Sequence, residues 1–192
     1  MSSPIAGATN EIFCSYAHED LQYIEALRSH LRQLEREGII SSWYDGLIGA
    51  GQHWQREIET HLKSANIILL FISADFLNSD FCMETELPIA LDRSHRKDAL
   101  VIPVILRSCD WQATPFAHLQ ALPTGVTPIE QWQHRDEAYT EIVKSIRGFV
   151  HSQQVPPMRC SLLNVPFHRN RLFTGREEIL EKVYPRVVQR DA

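Results

Sequence analysis

Residues 67–73, IILLFIS, form a nearly unbroken apolar run. A run of this length with no polar alternation is the pattern of a strand buried on both faces. Residues 99–106, ALVIPVIL, repeat it. Elsewhere the spacing changes from continuous to periodic. Leu21, Ile24, Leu27, Leu31 and Leu34 recur at three and four residues, so one apolar stripe runs along a helix that should end near Gly38. Ile58 and Leu62 mark a second helix over residues 54–62. Ala138, Ile142, Val143, Ile146 and Phe149 mark a closing one over residues 136–150. Between these lie weaker strand candidates at residues 11–16 (EIFCSY), 39–44 and 126–129.

Strands that alternate with helices predict an α/β fold with a mainly parallel sheet and helices on both faces. The five strand candidates all fall within residues 11–150. Residues 1–10 read as a leader, and residues 107–126, with Trp111, Pro115 and Pro123, as irregular. From His151 a proline pair and the loss of any period predict a linker over residues 151–165. Residues 166–192 carry one amphipathic stretch, too short to bury a core of their own. They read as the truncated start of a further module.

Composition narrows the function. The 192 residues are 44% hydrophobic and 22% charged, as in a globular domain. A formal net charge of −5 gives nucleic acid no electrostatic attraction. No apolar run nears the roughly 18 residues of a membrane span, and the N-terminus carries no secretory pattern. The expectation is therefore a cytoplasmic protein with neither a nucleic-acid nor a membrane partner. Cys14, Cys82, Cys109 and Cys160 are far apart and form no CxxC, which points to reduced thiols and no metal site.

The chemistry concentrates after the central strand. A polar turn follows residues 67–73, and then Glu84 and Glu86 open an amphipathic helix. Ligands of open α/β sheets bind beyond the carboxyl ends of the strands, so an acid here is well placed for a site. Acids in a first helical turn are also favoured by the helix dipole alone. Taking Leu87, Ala90 and Leu91 as the buried face, the two glutamates flank its opposite borders at about 100° per residue. Helical geometry thus leaves the pair undecided, and Pro88, without an N–H, sets or kinks the helix start. Residues 45–53, DGLIGAGQH, form a glycine-rich loop that carries apolar Leu47 and Ile48. Cys82 reads as a small buried thiol, since no histidine is matched to it as a base.

These residues together resemble a TIR (Toll/interleukin-1 receptor) domain of the bacterial kind. The likeness rests on Phe13-Cys14-Ser15-Tyr16, on the spacing to Asp45, Gly51, Trp54 and Ile58, and on ISADFLNSDFC followed by Glu86-Leu87. Residues 101–106 with Asp110-Trp111, and Trp132 before the last helix, extend it over roughly residues 9–150. The resemblance implies a flavodoxin-like TIR fold with a five-stranded sheet. It also implies one of two functions: an NAD glycohydrolase acting in immune-type signalling, or a non-catalytic scaffold that works through TIR–TIR contacts. In the enzymes of the family one glutamate in the helix after the third strand is catalytic, and by register with Leu-x-x-Ala-Leu it is Glu86. Ser15, Tyr16, His18, Asp45, Trp54, Phe81, Cys82 and Trp111 are then the expected substrate contacts. NAD is the substrate and no cofactor is needed.

Two departures stand out. Cys82 occupies a position where the enzymes often carry tryptophan, with Phe81 beside it as a substitute wall. Ala17 and His18 stand where the axon-degeneration enzyme of the family has arginines, which removes fixed positive charge. The resemblance further implies self-association, with Leu47 and Ile48 in the assembly loop. Separately, residues 164–180, NVPFHRNRLFTGREEIL, resemble the lead-in to a STAND-type (NB-ARC-like) nucleotide-binding module. No GxxxxGK[ST] loop is present, so this chain is not expected to bind ATP.

Overall fold

The computed structural model describes residues 9–47 and 54–154. Four strands form one parallel sheet: β1 (Asn10–Ser15), β2 (Ile40–Trp43), β3 (Ile67–Ile72) and β4 (Leu100–Ile105). Their order is β2-β1-β3-β4. The chain steps from β1 outward to β2 and then returns to the other side of β1 for β3. The crossover connections therefore part between β1 and β3, and a crevice opens there at the carboxyl edge of the sheet.

The continuous apolar runs are buried as their pattern requires. In β3 every residue is buried, with Ile67, Leu69 and Phe71 facing one core and Ile68, Leu70 and Ile72 the other. The first core is closed by α1 (Leu21–Arg36) and α5 (Arg135–Gln154). The second is closed by α2 (Trp54–Ser64), α3 (Ala74–Asn78) and α4 (Leu87–His95). At the end of α1, Gly38 takes a φ of 69°, and the Ile39 N–H reaches back to the Leu34 carbonyl at 3.0 Å. This is the left-handed stop that glycine provides most cheaply.

Three expectations are corrected. The fifth strand at residues 126–129 does not form. Its place is taken by a single bridge at Leu122, whose N–H donates to Pro103 O and whose carbonyl accepts from Ile105 N, both at 2.8 Å. The ladder stops there because the next donor, the Thr124 N–H, is taken by the Glu141 carboxylate. Val126 then adopts a left-handed φ of 61°, which no strand tolerates. Second, α5 runs on to Gln154, four residues into the expected linker. Third, the acidic helix is not one helix. A wide π-helical turn, Phe81–Glu86, precedes α4, and the Leu87 N–H closes it on the Cys82 carbonyl. Pro88, near the start of α4, cannot donate to the Glu84 carbonyl, so an ordinary α-turn would lack that bond here. The expected leader (apart from its last two residues), the rest of the linker and the further module lie outside the described residues.

No helix among the described residues is long and apolar enough to cross a membrane.

Candidate active site

A cleft of about 380 Å³ opens at the carboxyl edge of the sheet, beside the ends of β1 and β2 and the segment that follows β3. Its floor comes from β1 and the turn after it, through Phe13, Cys14, Tyr16, Ala17 and His18. Trp43 and Asp45 enter from the end of β2, Ile58 from α2, and Ser79, Phe81, Cys82 and Glu86 from the segment after β3. The fold thus gathers residues distant in sequence at the one edge where every strand ends.

Glu86 is the central group. The wide turn carries it inward until it is only 4% exposed, whereas Glu84, two residues earlier, stays in solvent. That resolves the ambiguity left by helical spacing. The Ser15 hydroxyl, at the end of β1, donates to Glu86 Oε2 at 2.6 Å. The Cys82 thiol lies beside it and favours its ionised form, while its own hydrogen bond goes to the Tyr16 carbonyl at 3.5 Å. Burial pushes the Glu86 carboxyl up to about 7, the Ser15 bond and then the thiol pull it down, and the Asp45 charge pushes it up. No lysine or arginine lines the cleft among the described residues, so Glu86 has no cation to settle against there.

The neighbouring groups are held in place. Tyr16 donates its hydroxyl to Asp45 in a short hydrogen bond. Arg28 points away to the Tyr44 hydroxyl at 2.7 Å and lies over the Tyr44 ring. Trp43 is sandwiched between Phe13 and His61, at 5.4 Å and 4.3 Å between ring centroids. His61 in turn is held by Glu11 at 2.6 Å. Cys82 is buried, and its thiol is pushed up to about 12, mainly by that burial. A thiol so hard to ionise is a poor nucleophile.

Of the sequence-predicted contacts, Tyr16, His18, Asp45, Phe81, Cys82 and Glu86 all line the cleft. Ser15 does not; it stands behind Glu86 and reaches the site only through that carboxylate. Trp111 is not among the lining residues either. It sits in a short turn, Trp111–Ala113, and packs on the second core. Its large apolar ring gains more there than at a solvated rim. The side chains of Leu47 and Trp54, and all of Ile48, lie outside the described residues.

Sequence reading missed Trp43, although an aromatic at the carboxyl end of a strand is the signal that would have found it. It also missed a second buried acid. Asp20, fully buried, accepts from the Ser73 hydroxyl and from Arg107 at 2.7 Å. Arg107 also bonds Asp75. Asp20 precedes α1 but caps nothing with its side chain. It clasps together the turns that follow β1, β3 and β4. Among the described residues no cluster of three or more histidine, cysteine or acidic side chains is arranged to hold a metal.

Residues 12–143 match the TIR domain family. The chain belongs to that family. A protein of Sinorhizobium fredii (strain NBRC 101917 / NGR234), bearing the name uncharacterized protein y4lF, is 40% identical over 159 residues. The alignment covers 81% of this chain and 49% of that protein, so the chain spans about half the length of the relative it matches. Among solved structures, the TIR domain of the Toll-related receptor TRR-2 from Hydra magnipapillata is similar with a TM-score of 0.48 at 20% identity. That likeness covers 71% of this chain and 97% of the other. The TIR domains of the activated Roq1 resistosome give 0.45 at 14% identity, covering 93% and 99%. The sheet is the parallel, helix-flanked sheet of a TIR domain, with four strands in place of the expected five.

Proposed function

We propose that this TIR domain is an NAD glycohydrolase and that Glu86 is its catalytic residue. The observation that carries the reading is a buried carboxylate with a hydroxyl partner and no lysine or arginine beside it among the described residues, in a cleft at the carboxyl edge of the sheet. In NAD the nicotinamide ring is a cationic leaving group. Breaking its bond to ribose returns the electron pair to the ring, which departs neutral, and leaves positive charge on the sugar. A fixed carboxylate beside the ribose stabilises that charge without reorganising at the moment of reaction. Water then adds to the sugar and releases a proton, giving ADP-ribose; attack by one of the remnant's own groups gives a cyclic isomer.

Roles for the remaining residues follow from their positions. Ser15 orients Glu86, and Cys82 lies beside it. Tyr16, Trp43 and Phe81 wall the ring, and Asp45 adds negative potential. A scaffold that works only through its surfaces has no use for a buried acid left without a counter-charge, whose desolvation costs stability. The domain is a cytoplasmic effector of a longer immune-type receptor, activated when TIR domains crowd together. Residues 166–192 begin a STAND-type module that supplies the crowding.

The deciding experiment is chromatography of NAD incubated with concentrated protein, wild type beside Glu86→Ala. Nicotinamide released by the wild type alone is the expected result. Equal release by both proteins, or by neither at any concentration or when tethered to a surface, removes the reading.

A further inference from the structure

The cleft is unusual in what it lacks. Among the described residues its charged lining is Asp45 and Glu86, and the only basic side chain is exposed His18. The nearby guanidiniums are committed elsewhere. Arg28 is held on Tyr44, and Arg107 is held by Asp20 and Asp75. Of the serines just beyond β3, Ser73 is turned to the Phe76 N–H and to Asp20, and Ser79, which lines the cleft, accepts from the Cys82 N–H. No lysine or arginine in the described walls therefore answers a phosphate, and two carboxylates repel one. The volume, about 380 Å³, lies near the lower end of the roughly 300–1,000 Å³ range of small-molecule pockets. It suits one nucleoside far better than a dinucleotide.

We infer that this cleft recognises the cationic nicotinamide–ribose half of its substrate and takes almost no binding energy from phosphate or adenylate, so that its substrate class is N-ribosyl pyridinium compounds at large. This rests on the reading of Glu86 as the acid that meets a ribosyl cation. Aromatic rings and carboxylates both attract a pyridinium, the first through the ring faces and the second through charge. The inference makes nicotinamide riboside, with its single positive charge and no phosphate, as good a ligand as NAD. It also makes the 2′-phosphate of NADP neither a help nor a handle.

The test has a turnover arm and a binding arm. In the first, kcat/KM is measured for nicotinamide riboside, nicotinamide mononucleotide, NAD and NADP, with Glu86→Ala as the blank. The expected values lie within about tenfold of one another, one charge-assisted hydrogen bond being worth at least about that factor. A riboside cleaved a hundredfold more slowly than NAD overturns the inference. In the second arm, ligand-observed NMR compares nicotinamide riboside with ADP-ribose. Saturation reaching the riboside ring but not ADP-ribose is the expected result; ADP-ribose binding as tightly or more tightly overturns it. If no substrate turns over but the riboside still binds, recognition stands and the hydrolase reading falls. If neither turns over nor binds, both fall. His18→Arg sharpens the outcome, because the side chain is exposed and folding is not at stake. It should raise kcat/KM for NAD and the mononucleotide by about tenfold relative to that for the riboside. A variant with no such split shows that phosphate is already held elsewhere, which also overturns the inference.

Discussion

Two buried carboxylates sit at the carboxyl edge of this sheet, and they are treated in opposite ways. Asp20 is fully buried and meets a guanidinium and a hydroxyl. Glu86 is nearly as buried and meets only the Ser15 hydroxyl among the described residues' hydrogen bonds. The first acid is neutralised by the protein itself, and its charge does nothing beyond tying three turns together. The second has no cation among the described walls of its cleft. Burial alone therefore does not mark a working acid. The absence of a local counter-charge does, because such a group gains when a cationic ligand or transition state arrives.

The comparison can be broken by swapping what each acid has. The largest effect is expected on rate. Glu86→Gln keeps size and polarity but removes the charge, and NAD hydrolysis should fall by about 10²–10³, the usual cost of losing one preorganised electrostatic partner. Asp20→Ala should instead act on stability. It strips Arg107 and Ser73 of a buried partner and should cost about 3 kcal/mol, or roughly 10 °C in melting temperature. A calorimetric scan that leaves Asp20→Ala within 2 °C of wild type would show that the clasp is ornamental.

Stability should respond to the two acids with opposite signs. The Glu86 carboxyl is raised in the fold to about 7 from an ordinary 4.5. The folded state therefore holds its proton more tightly than the unfolded chain. The associated stability is fully present below about 4.5 and is lost as pH rises through about 7. At pH 8 Glu86→Gln should be more stable than wild type by about 2–3 kcal/mol, and at pH 4 nearly equal to it. Activity should run the other way, since the ionised form is the working one. For the free enzyme kcat/KM should climb as pH rises through about 7 and then level off. A flat profile across pH 5–9 would remove Glu86 as the group that titrates.

Ser15 tests the same contrast more gently. Its hydroxyl favours the ionised form of Glu86. Ser15→Ala should move the midpoint of the pH profile upward and lower kcat/KM at pH 7 by about tenfold, with little change at high pH. A uniform loss at every pH would mean that Ser15 touches substrate directly. The smallest effect belongs to Asp75→Asn. Arg107 and Asp75 are both partly in solvent, at 29% and 39% side-chain exposure. The loss should stay within about 1 kcal/mol in urea unfolding, far less than for Asp20.

Much of this molecule was legible as pattern. The doubly apolar runs at residues 67–73 and 99–106 had to be covered on both faces, because no half-exposed element tolerates them. The stripe from Leu21 to Leu34 and the stop at Gly38 were likewise local facts of spacing and backbone freedom. Glu86 was singled out as a candidate by register with the family it resembles, while helical spacing alone left it level with Glu84. Only the wide turn closed by Leu87 and Cys82 separates the two, and its hydrogen-bond pattern is not encoded by periodicity. Ser15 and Glu86 are 71 residues apart, and Asp20 and Arg107 are 87 apart. Which of these acids meets a cation is decided by strand order and by where each strand ends. Trp111 and the missing fifth strand carry the same lesson: an aromatic ring goes to whichever apolar surface is within reach, and a ladder ends when its next donor finds a better acceptor. Sequence pattern determines which residues must leave water. Tertiary structure decides what they meet once they have left it, because pairing depends on distances that the chain sets only by folding.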